Sequence, residues 1–457
     1  MRKHYPNRSG VTAVIAMLYL VLFSTLAVGF FAAVTAAVQI AGNEQYGSRA
    51  NLAAESGMQF IRYHLANVDL PHNTPTDQYL SQVYTYLQNA LNNTANMGAN
   101  TVGLTGNTIN IPASPTAWIY LDNTTDGARF RASITQTADK LIVKITGQHN
   151  NTSIQRAIQL NYGIAANASA IFNYGVASKG QIVTAGASVI KGATDPTKGS
   201  VLSTSTAAVP VDIGGKEVSG DISITNSTGI VNYSGASVGG STDSGDIAAN
   251  HIHKGVSPPE FPTIDTTIFQ SYATTKYTNQ TTLDNVYIAP NTNPRFTGTT
   301  IIKGVLYVQS PNVVEFAGNL DIQGVIVVQN GANFDLSKNQ LNFTGSVTAT
   351  AVDTLPASYG DLRTLTGSFI LAPNFAVNFS GDFGTVGGSI IASQVAMSGN
   401  AGGTVNGTVI NLDETTLSLD GSAAITIAST GTTNYPSGVY FGSHFAPLPD
   451  TYAEVQP

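Results

Sequence analysis

The stretch 11-VTAVIAMLYLVLFSTLAVGFFAAVTAAVQ-39 decides how this chain is organised, because it runs for roughly thirty residues without a charged side chain. About 20 apolar residues cross the hydrocarbon layer of a bilayer, and the stretch is longer than the roughly 7–15-residue apolar core of a removable secretory signal. The leader before it, residues 1–10, is basic and should stay in the cytoplasm. We therefore expect residues 11–39 to span a membrane once, with the rest of the chain exported.

The helical pattern continues past the predicted span, so residues 11–70 should form one long helix. Pro71 ends the pattern, because proline cannot continue an α-helix. Gly42, Gly47 and Gly57 each weaken the helix by about 1 kcal/mol relative to alanine. An apolar seam at steps of four and three predicts that the later half packs against a soluble domain. The seam consists of Ala54, Met58, Ile61, Leu65 and Val68.

Two short segments of this helix resemble a known family. Arg8-Ser9-Gly10-Val11-Thr12 resembles the cleavage region of class III prepilins, which include type IV pilins and type II secretion pseudopilins. Ala53-Ala54-Glu55-Ser56-Gly57 is similar to a segment of their minor and tip members. The resemblance implies that a prepilin peptidase cuts after Gly10 and that Val11 becomes the first residue. It also implies that the helix assembles with other pilin or pseudopilin subunits.

Ile15 departs from the pattern of the major pilins. By the resemblance, this position would carry a glutamate that pairs with the terminal amine of a neighbouring subunit during assembly. A buried unpaired amine costs several kcal/mol, so we expect a minor or tip subunit rather than a repeating shaft subunit. The alternative is a plain single-span anchor without cleavage or a filament.

Residues 71–166 are predicted to form a second helix and a small antiparallel sheet. Apolar residues at helical spacing place the helix over residues 76–94. Asp126-Gly127 signals a hairpin turn. A long helix on such a sheet is the plan of pilin globular domains, so this pattern agrees with the resemblance. The strand-like runs are residues 108–112, 117–122, 128–135, 141–145 and 154–162.

Residues 172–445 carry an internal repeat with a period of about 20 residues. Each unit begins with a glycine and a β-branched run, as in Gly304-Val305-Leu306-Tyr307-Val308 and Gly324-Val325-Ile326-Val327-Val328. This pattern predicts a parallel β-helix of about nine or ten coils, with the glycine at a crowded corner. The series continues at Gly345, Gly367, Gly387 and Gly407.

Residues 250–297 interrupt the period, and residues 446–457 follow it as a predicted C-terminal tail. Three prolines within residues 256–262 predict a rigid extended segment, and residues 266–274 a short helix. Long insertions in solenoids map to one face and often carry binding, so this one is a candidate adhesive surface. The predicted fold class is α+β followed by all-β: a long transmembrane helix on a small antiparallel sheet, then a parallel β-helix.

The composition narrows the possible functions. Charged residues make up 10% of the chain, and the frequent Val, Ile and Phe favour long sheets over disorder. Cysteine is absent, which excludes thiol and cysteine–zinc chemistry. The net charge is −7 and no basic cluster follows the leader, so we expect no nucleic-acid partner.

The sequence contains no recognisable catalytic constellation, and we expect no enzymatic activity and no cofactor. Asp413-Glu414 is the only adjacent carboxylate pair, and no repeated coil position stacks acidic residues as glycoside hydrolysis would require. His251 and His253 form the only imidazole cluster. Their rings could bind a metal with Asp246 or Glu260 as a third donor, although an exposed polar loop is the simpler interpretation.

These observations favour a structural, non-enzymatic surface protein of pilin or pseudopilin type. It would be a minor or tip subunit of a type IV pilus-like or type II secretion-like filament and would display a β-helix outside the cell. The alternative is a membrane-anchored β-helix that binds or cleaves carbohydrate, or an adhesin. A surface glycan or another cell would then be its partner.

Overall fold

The computed structural model describes residues 9–71, 74–121, 127–150, 153–167, 169–330, 335–428 and 435–457. The chain divides into two compact units. Unit 1 is Met1–Asn167 with Gly442–Pro457, and unit 2 is Ala168–Phe441. Unit 2 is therefore inserted into the sequence of unit 1. Residues 1–8 of the predicted leader and Asp126 of the predicted turn lie outside the described residues.

One continuous helix, Ser9–Ala66, confirms the predicted long N-terminal helix. It ends before Pro71, and the Asn67 N–H donates to the His64 carbonyl at 3.0 Å in a tightened last turn. The second predicted helix is a 3₁₀ turn, Thr76–Gln78, followed by an α-helix, Tyr79–Leu91. One face of that α-helix is buried, which is why its sequence alternates between apolar and polar residues at helical spacing.

The sheet of unit 1 has eight strands in the described part of the chain, and all of their pairings are antiparallel. Two of its long neighbouring strands, Ala128–Thr137 and Lys140–His149, alternate buried and more exposed residues over much of their length, with the buried side chains facing the long helix. The strands are Gly103–Thr105, Thr108–Ile111, Ile119–Tyr120, Ala128–Thr137, Lys140–His149, Gln155–Ala166, Ser443–Pro447 and Ala453–Val455.

The structure corrects the expectation of a C-terminal tail at residues 446–457. Ser443–Pro447 and Ala453–Val455 both pair with Gln155–Ala166, the strand that precedes unit 2. Phe445 is fully buried in the core of unit 1. Pairing satisfies backbone groups that the edge of Gln155–Ala166 would otherwise expose, and no local sequence pattern reports a partner so far away.

Unit 2 confirms the predicted parallel sheets. Residues one repeat apart lie side by side: Thr300–Val308 pairs with Leu320–Val328, which places Gly304 opposite Gly324. One row of parallel strands comprises, in spatial order, Ile252–Lys254, Ile222–Ile224, Val201–Ser203, Val176–Ser178, Val409–Asn411, Ser389–Met397, Ser368–Phe379, Leu320–Val328, Thr300–Val308, Thr282–Ile288 and Thr275–Lys276.

Two further rows of parallel strands follow the same spatial order. The second row comprises Val231–Asn232, Val211–Ile213, Ile182–Thr184, Leu417–Leu419, the later halves of Ser389–Met397 and Ser368–Phe379, then Asn339–Phe343, Asn312–Phe316 and Arg295–Phe296. The third comprises Ser237–Val238, Glu217–Val218, Val189–Gly192, Ala424–Ile427, Gly402–Val405 and Thr385–Val386. Val347–Thr350 pairs with Leu320–Val328, and Thr263–Ile264 pairs antiparallel with Val439–Tyr440.

The spatial order of the strands differs from their order along the chain. Val176–Ser178, the first strand of unit 2, lies between Val201–Ser203 and Val409–Asn411. The chain builds outward to Ile252–Lys254, crosses to the opposite end of the row, and builds back until Val409 meets Val176. The predicted insertion, residues 250–297, is therefore the connection between the two ends, and it supplies strands of its own.

The connection also covers an apolar surface. Val305, Tyr307, Val325 and Val327 belong to a buried cluster that includes Ile264, Phe269 and Ala273 of the connection. Burying these side chains removes apolar area from water at about 25 cal/mol per Å². The short helices of unit 2 are Ala170–Asn173, Pro196–Gly199, Ser244–Asp246, Ile247–His251, Thr267–Gln270, Val352–Thr354 and Ala357–Thr364.

Some of the repeated glycines lie where the backbone of the neighbouring repeat approaches closely, and others depart from the predicted alignment. A Cβ on Gly324 would lie 1.9 Å from the Gly304 carbonyl oxygen, and a Cβ on Gly407 would lie 2.7 Å from the Ser389 nitrogen. A Cβ on Gly345 would instead lie 2.0 Å from the carbonyl oxygen of Gly318. Gly345 therefore occupies a different position in its repeat from Gly304, because the repeats differ in length.

Candidate functional site

The first half of the long helix is apolar and exposed. The stretch Val11–Ala66 contains a window of mean hydropathy 2.4 that is not buried at all, and it is long and apolar enough to cross a membrane. Val11 is 66% exposed and Ile15 is 50% exposed. Gly10 and Val11 lie near the start of the helix, and cleavage between them stays a prediction. Over residues 11–41, the described structure buries no side chain against the rest of the chain.

The second half of the helix packs on the sheet through the predicted seam. All five seam residues are at most 3% exposed: Ala54, Met58, Ile61, Leu65 and Val68. Val68 follows the end of the helix at Ala66. They share one core with the inward side chains of the sheet, among them Ile134, Val143 and Ile145. The same helix therefore has one half fixed to its own domain and one half without a partner in the described chain.

Two glycines allow the helix to lie unusually close to the sheet. A Cβ on Gly57 would lie 2.6 Å from Cδ2 of Phe130 and 2.8 Å from Cγ2 of Ile145. A Cβ on Gly147 of the sheet would lie 2.1 Å from the Ala50 carbonyl oxygen and 2.4 Å from the Ala54 nitrogen. Gly57, which appeared in the sequence as a weak point of the helix, is therefore required for packing.

Glu55 binds a residue that the sequence did not associate with it. Glu55 is half-buried and accepts a hydrogen bond from the Tyr452 hydroxyl. That hydrogen bond, with burial and the nearby charges of Glu55 and Glu454, raises the pKa of Tyr452 to about 12. The contact ties the C-terminal strands to the helix. No local sequence pattern could have revealed this contact, because the two residues are 397 positions apart in the sequence.

Replacing Tyr452 with phenylalanine should reduce the loss of stability at alkaline pH. The folded protein keeps the Tyr452 proton up to about pH 12, whereas the unfolded chain releases it near its ordinary pKa of 10.0. This group's contribution to the free energy of unfolding is therefore complete below pH 10 and is lost as the pH rises towards 12. Denaturant unfolding measures the free energy of unfolding at about pH 9 and about pH 11. The decrease between these two pH values should be smaller for Tyr452→Phe than for the native chain.

The variant Glu55→Gln should remove most of the same pH dependence, because the charged acceptor is gone. Combining Glu55→Gln with Tyr452→Phe should add little to either change alone. A Tyr452→Phe protein that keeps the full alkaline loss would contradict this assignment.

His251 and His253 lie on either side of the Asp221 carboxylate, which no local sequence pattern associates with them. His251 Nδ1 is 2.8 Å from Asp221 Oδ1, and His253 Nε2 is 3.1 Å from Asp221 Oδ2. Burial alone would raise the pKa of Asp221, but the hydrogen bonds with the two histidines outweigh burial and hold the pKa below its usual range. Asp246 is farther away, 3.9 Å from His251 Nε2. These contacts join neighbouring strands, because Ile252–Lys254 pairs with Ile222–Ile224.

The histidine pair and the adjacent carboxylates Asp413 and Glu414 were the two side-chain clusters with possible chemistry. Among the described residues, no group of three or more His, Cys, Asp or Glu side chains could hold a metal ion. Glu414 lines a polar cleft of about 260 Å³ with Lys179 and Gln181, and Asp413 is not part of its lining. Asp413 and Glu414 therefore do not face a common ligand there.

Comparisons with known proteins give a limited result. No protein-family model matches the chain, and no curated protein matches it. The structure is similar to that of the competence-associated pilin ComZ from Thermus thermophilus, with 11% sequence identity and a TM-score of 0.28. The match covers 90% of this chain and 97% of that chain. At this identity and TM-score, the similarity does not extend to function.

Proposed function

We propose that this protein is a pilin-like, non-enzymatic surface protein, a minor or tip subunit of a type IV pilus-like or type II secretion-like filament. The observation that carries the proposal is the division of one unbroken helix into an exposed apolar half and a half that packs on a small sheet. An assembly helix needs both: the first half occupies the bilayer and later contacts other subunits, while the second half stays fixed to its own domain.

The details of the helix support the subunit type. Ile15 cannot pair with the terminal amine of a neighbouring subunit, as the glutamate of a shaft subunit would. The segment around Glu55, which resembles minor and tip pilins, uses its carboxylate within unit 1 through Tyr452. The filament, the prepilin peptidase and the inner membrane are the partners and location that this proposal requires.

We further infer that unit 2 is a β-helix head displayed by the helix. Its support is that three rows of parallel strands keep equivalent residues one repeat apart, with aromatic rings stacked along the interior. Phe296, Phe316, Phe343 and Phe379 follow one another at centroid distances of 5.0, 5.1 and 4.7 Å. Such stacking makes a rigid body whose stability accumulates from neighbour to neighbour.

N-terminal sequencing of protein purified from its native membrane should begin at Val11. The variant Gly10→Val should remain uncut and begin at Met1, because the residue before the predicted cut is changed. A native chain that begins at Met1, or beyond Gln39, would remove the filament from the proposal.

The non-enzymatic part of the proposal is tested with a panel of polysaccharides. The full-length protein in detergent should release no reducing ends from them. Turnover that disappears in the variants Asp413→Asn and Glu414→Gln would replace this proposal with a carbohydrate-cleaving enzyme.

A further inference from the structure

The outer face of the sheet in unit 1 holds a cavity of about 270 Å³ that none of the roles above uses. Its floor consists of neighbouring positions on three strands. Asn110 lies opposite Ser133, and Ser133 lies opposite Lys144. Arg131 lies opposite Thr146 in the adjacent row. Because residues alternate between the two faces of a strand, these polar side chains point away from the helix.

The Arg131 guanidinium is held in place at the edge of this cavity. Its Nη1 donates to the Pro115 carbonyl at 2.7 Å, and its Nη2 lies 3.5 Å from Oε1 of Gln155. Its Cζ also lies 4.9 Å from the centre of the Trp118 ring. A guanidinium carries five N–H donors, so these contacts leave donors for a ligand while limiting the freedom that binding would remove. Pro112 and Pro115 form an apolar part of the cavity wall.

Two cations line the cavity. Arg131 and Lys144 are its charged side chains, and Pro457 also belongs to the lining. In the part of the chain that the structure describes, neither cation has a carboxylate oxygen within 4.0 Å. The two residues are diagonal neighbours on adjacent strands, a spacing of about 7 Å between such positions. This arrangement favours an anionic group with further hydrogen-bonding atoms around it.

We propose that this cavity binds a uronate residue of an acidic glycan. The carboxylate would be bound by Arg131, whose planar fork matches a carboxylate, with Lys144 as a second cation. The hydroxyl groups of the sugar ring would exchange hydrogen bonds with Asn110, Ser133 and Thr146, which offer both donors and acceptors. The two wall prolines provide an apolar surface for the C–H face of the ring. A bare phosphate would also accept hydrogen bonds from these polar groups, but it has no C–H face for the two prolines.

Calorimetric titration of the full-length protein in non-ionic detergent with polygalacturonate tests this proposal. We expect binding to polygalacturonate and no binding to its methyl-esterified form, which keeps the hydroxyl groups but loses the charge. Lys144→Gln should weaken binding by about tenfold or more, because a charge-assisted contact is lost. Lys140→Gln is the matched control: it lies on the same strand and makes the same charge change outside the cavity, so binding should be unchanged.

Three results would overturn the proposal. The first is no binding of polygalacturonate to a protein whose Trp118 fluorescence shows that unit 1 is folded. The second is equal weakening by Lys144→Gln and Lys140→Gln, which would indicate a non-specific effect of charge. The third is displacement by inorganic phosphate as effective as displacement by galacturonate, which would assign the cavity to simple anions.

Discussion

Replacing Gly147 with alanine is expected to destabilise unit 1 by about 3 kcal/mol, because the added methyl group overpacks a tight contact. The new Cβ would lie 2.1 Å from the Ala50 carbonyl oxygen and 2.4 Å from the Ala54 nitrogen. Both are backbone atoms of the long helix, so no side-chain rotation can relieve the overlap and the helix itself must move. Denaturant unfolding followed by Trp118 fluorescence measures the change, since this is the single tryptophan of the chain and lies in unit 1.

Gly42→Ala is the matched control for this prediction. Gly42 belongs to the long helix that Gly147 of the sheet contacts, but a Cβ on Gly42 would meet no atom within 4 Å. Alanine has the higher helix propensity, so this variant should be as stable as the native protein or slightly more stable. Equal effects of Gly147→Ala and Gly42→Ala would show that the close approach of helix and sheet does not determine stability.

Replacing Phe343 with alanine should destabilise unit 2 by about 3–5 kcal/mol, the usual cost of removing a large ring from a packed core. Phe343 is fully buried between Phe316, at a centroid distance of 5.1 Å, and Phe379, at 4.7 Å. The loss should spread to both neighbouring strands, because each repeat packs only on the next. Hydrogen exchange should therefore accelerate at the amides of Asn312–Phe316 and of Ser368–Phe379.

Two observations control for a general effect of the Phe343 substitution. Phe261→Ala removes a half-buried ring from the connection and should cost less than Phe343→Ala. The Trp118 unfolding transition of unit 1 should be unchanged in both variants. Hydrogen exchange that accelerates equally throughout unit 2 would contradict the prediction, because it would show that the loss of stability is not confined to the strands next to Phe343.

The long helix and its seam could be predicted because their signals are local. An uncharged stretch and a spacing of three and four residues specify a helix and its buried face without knowledge of the partner. The partner is what the sequence could not supply. The sequence contains Gly57 and Glu55, but their roles depend on contacts with Phe130 and Tyr452. No local sequence pattern connects either of these residues with the helix.

The repeat predicted parallel strands correctly and could not predict their spatial order. A repeat period indicates that similar units exist, but each strand of a unit has two edges and can pair with another strand at either one. Val176–Ser178 uses both edges, one for the next repeat and one for the last, Val409–Asn411. The candidate chemical residues show the same limit: the spacing of His251 and His253 predicts that the two rings lie together, but their partner Asp221 immediately precedes an earlier strand, Ile222–Ile224.

The position of unit 2 within the sequence of unit 1 affects how the protein withstands proteolysis. Its two chain ends leave from neighbouring strands of one sheet, where the Asn167 N–H donates to the Gly442 carbonyl at 2.8 Å. A domain on one linker is shed when that linker is cut. Here a single nick leaves each fragment of unit 2 joined to a strand of that sheet, so two separate cuts are needed to release any part of unit 2.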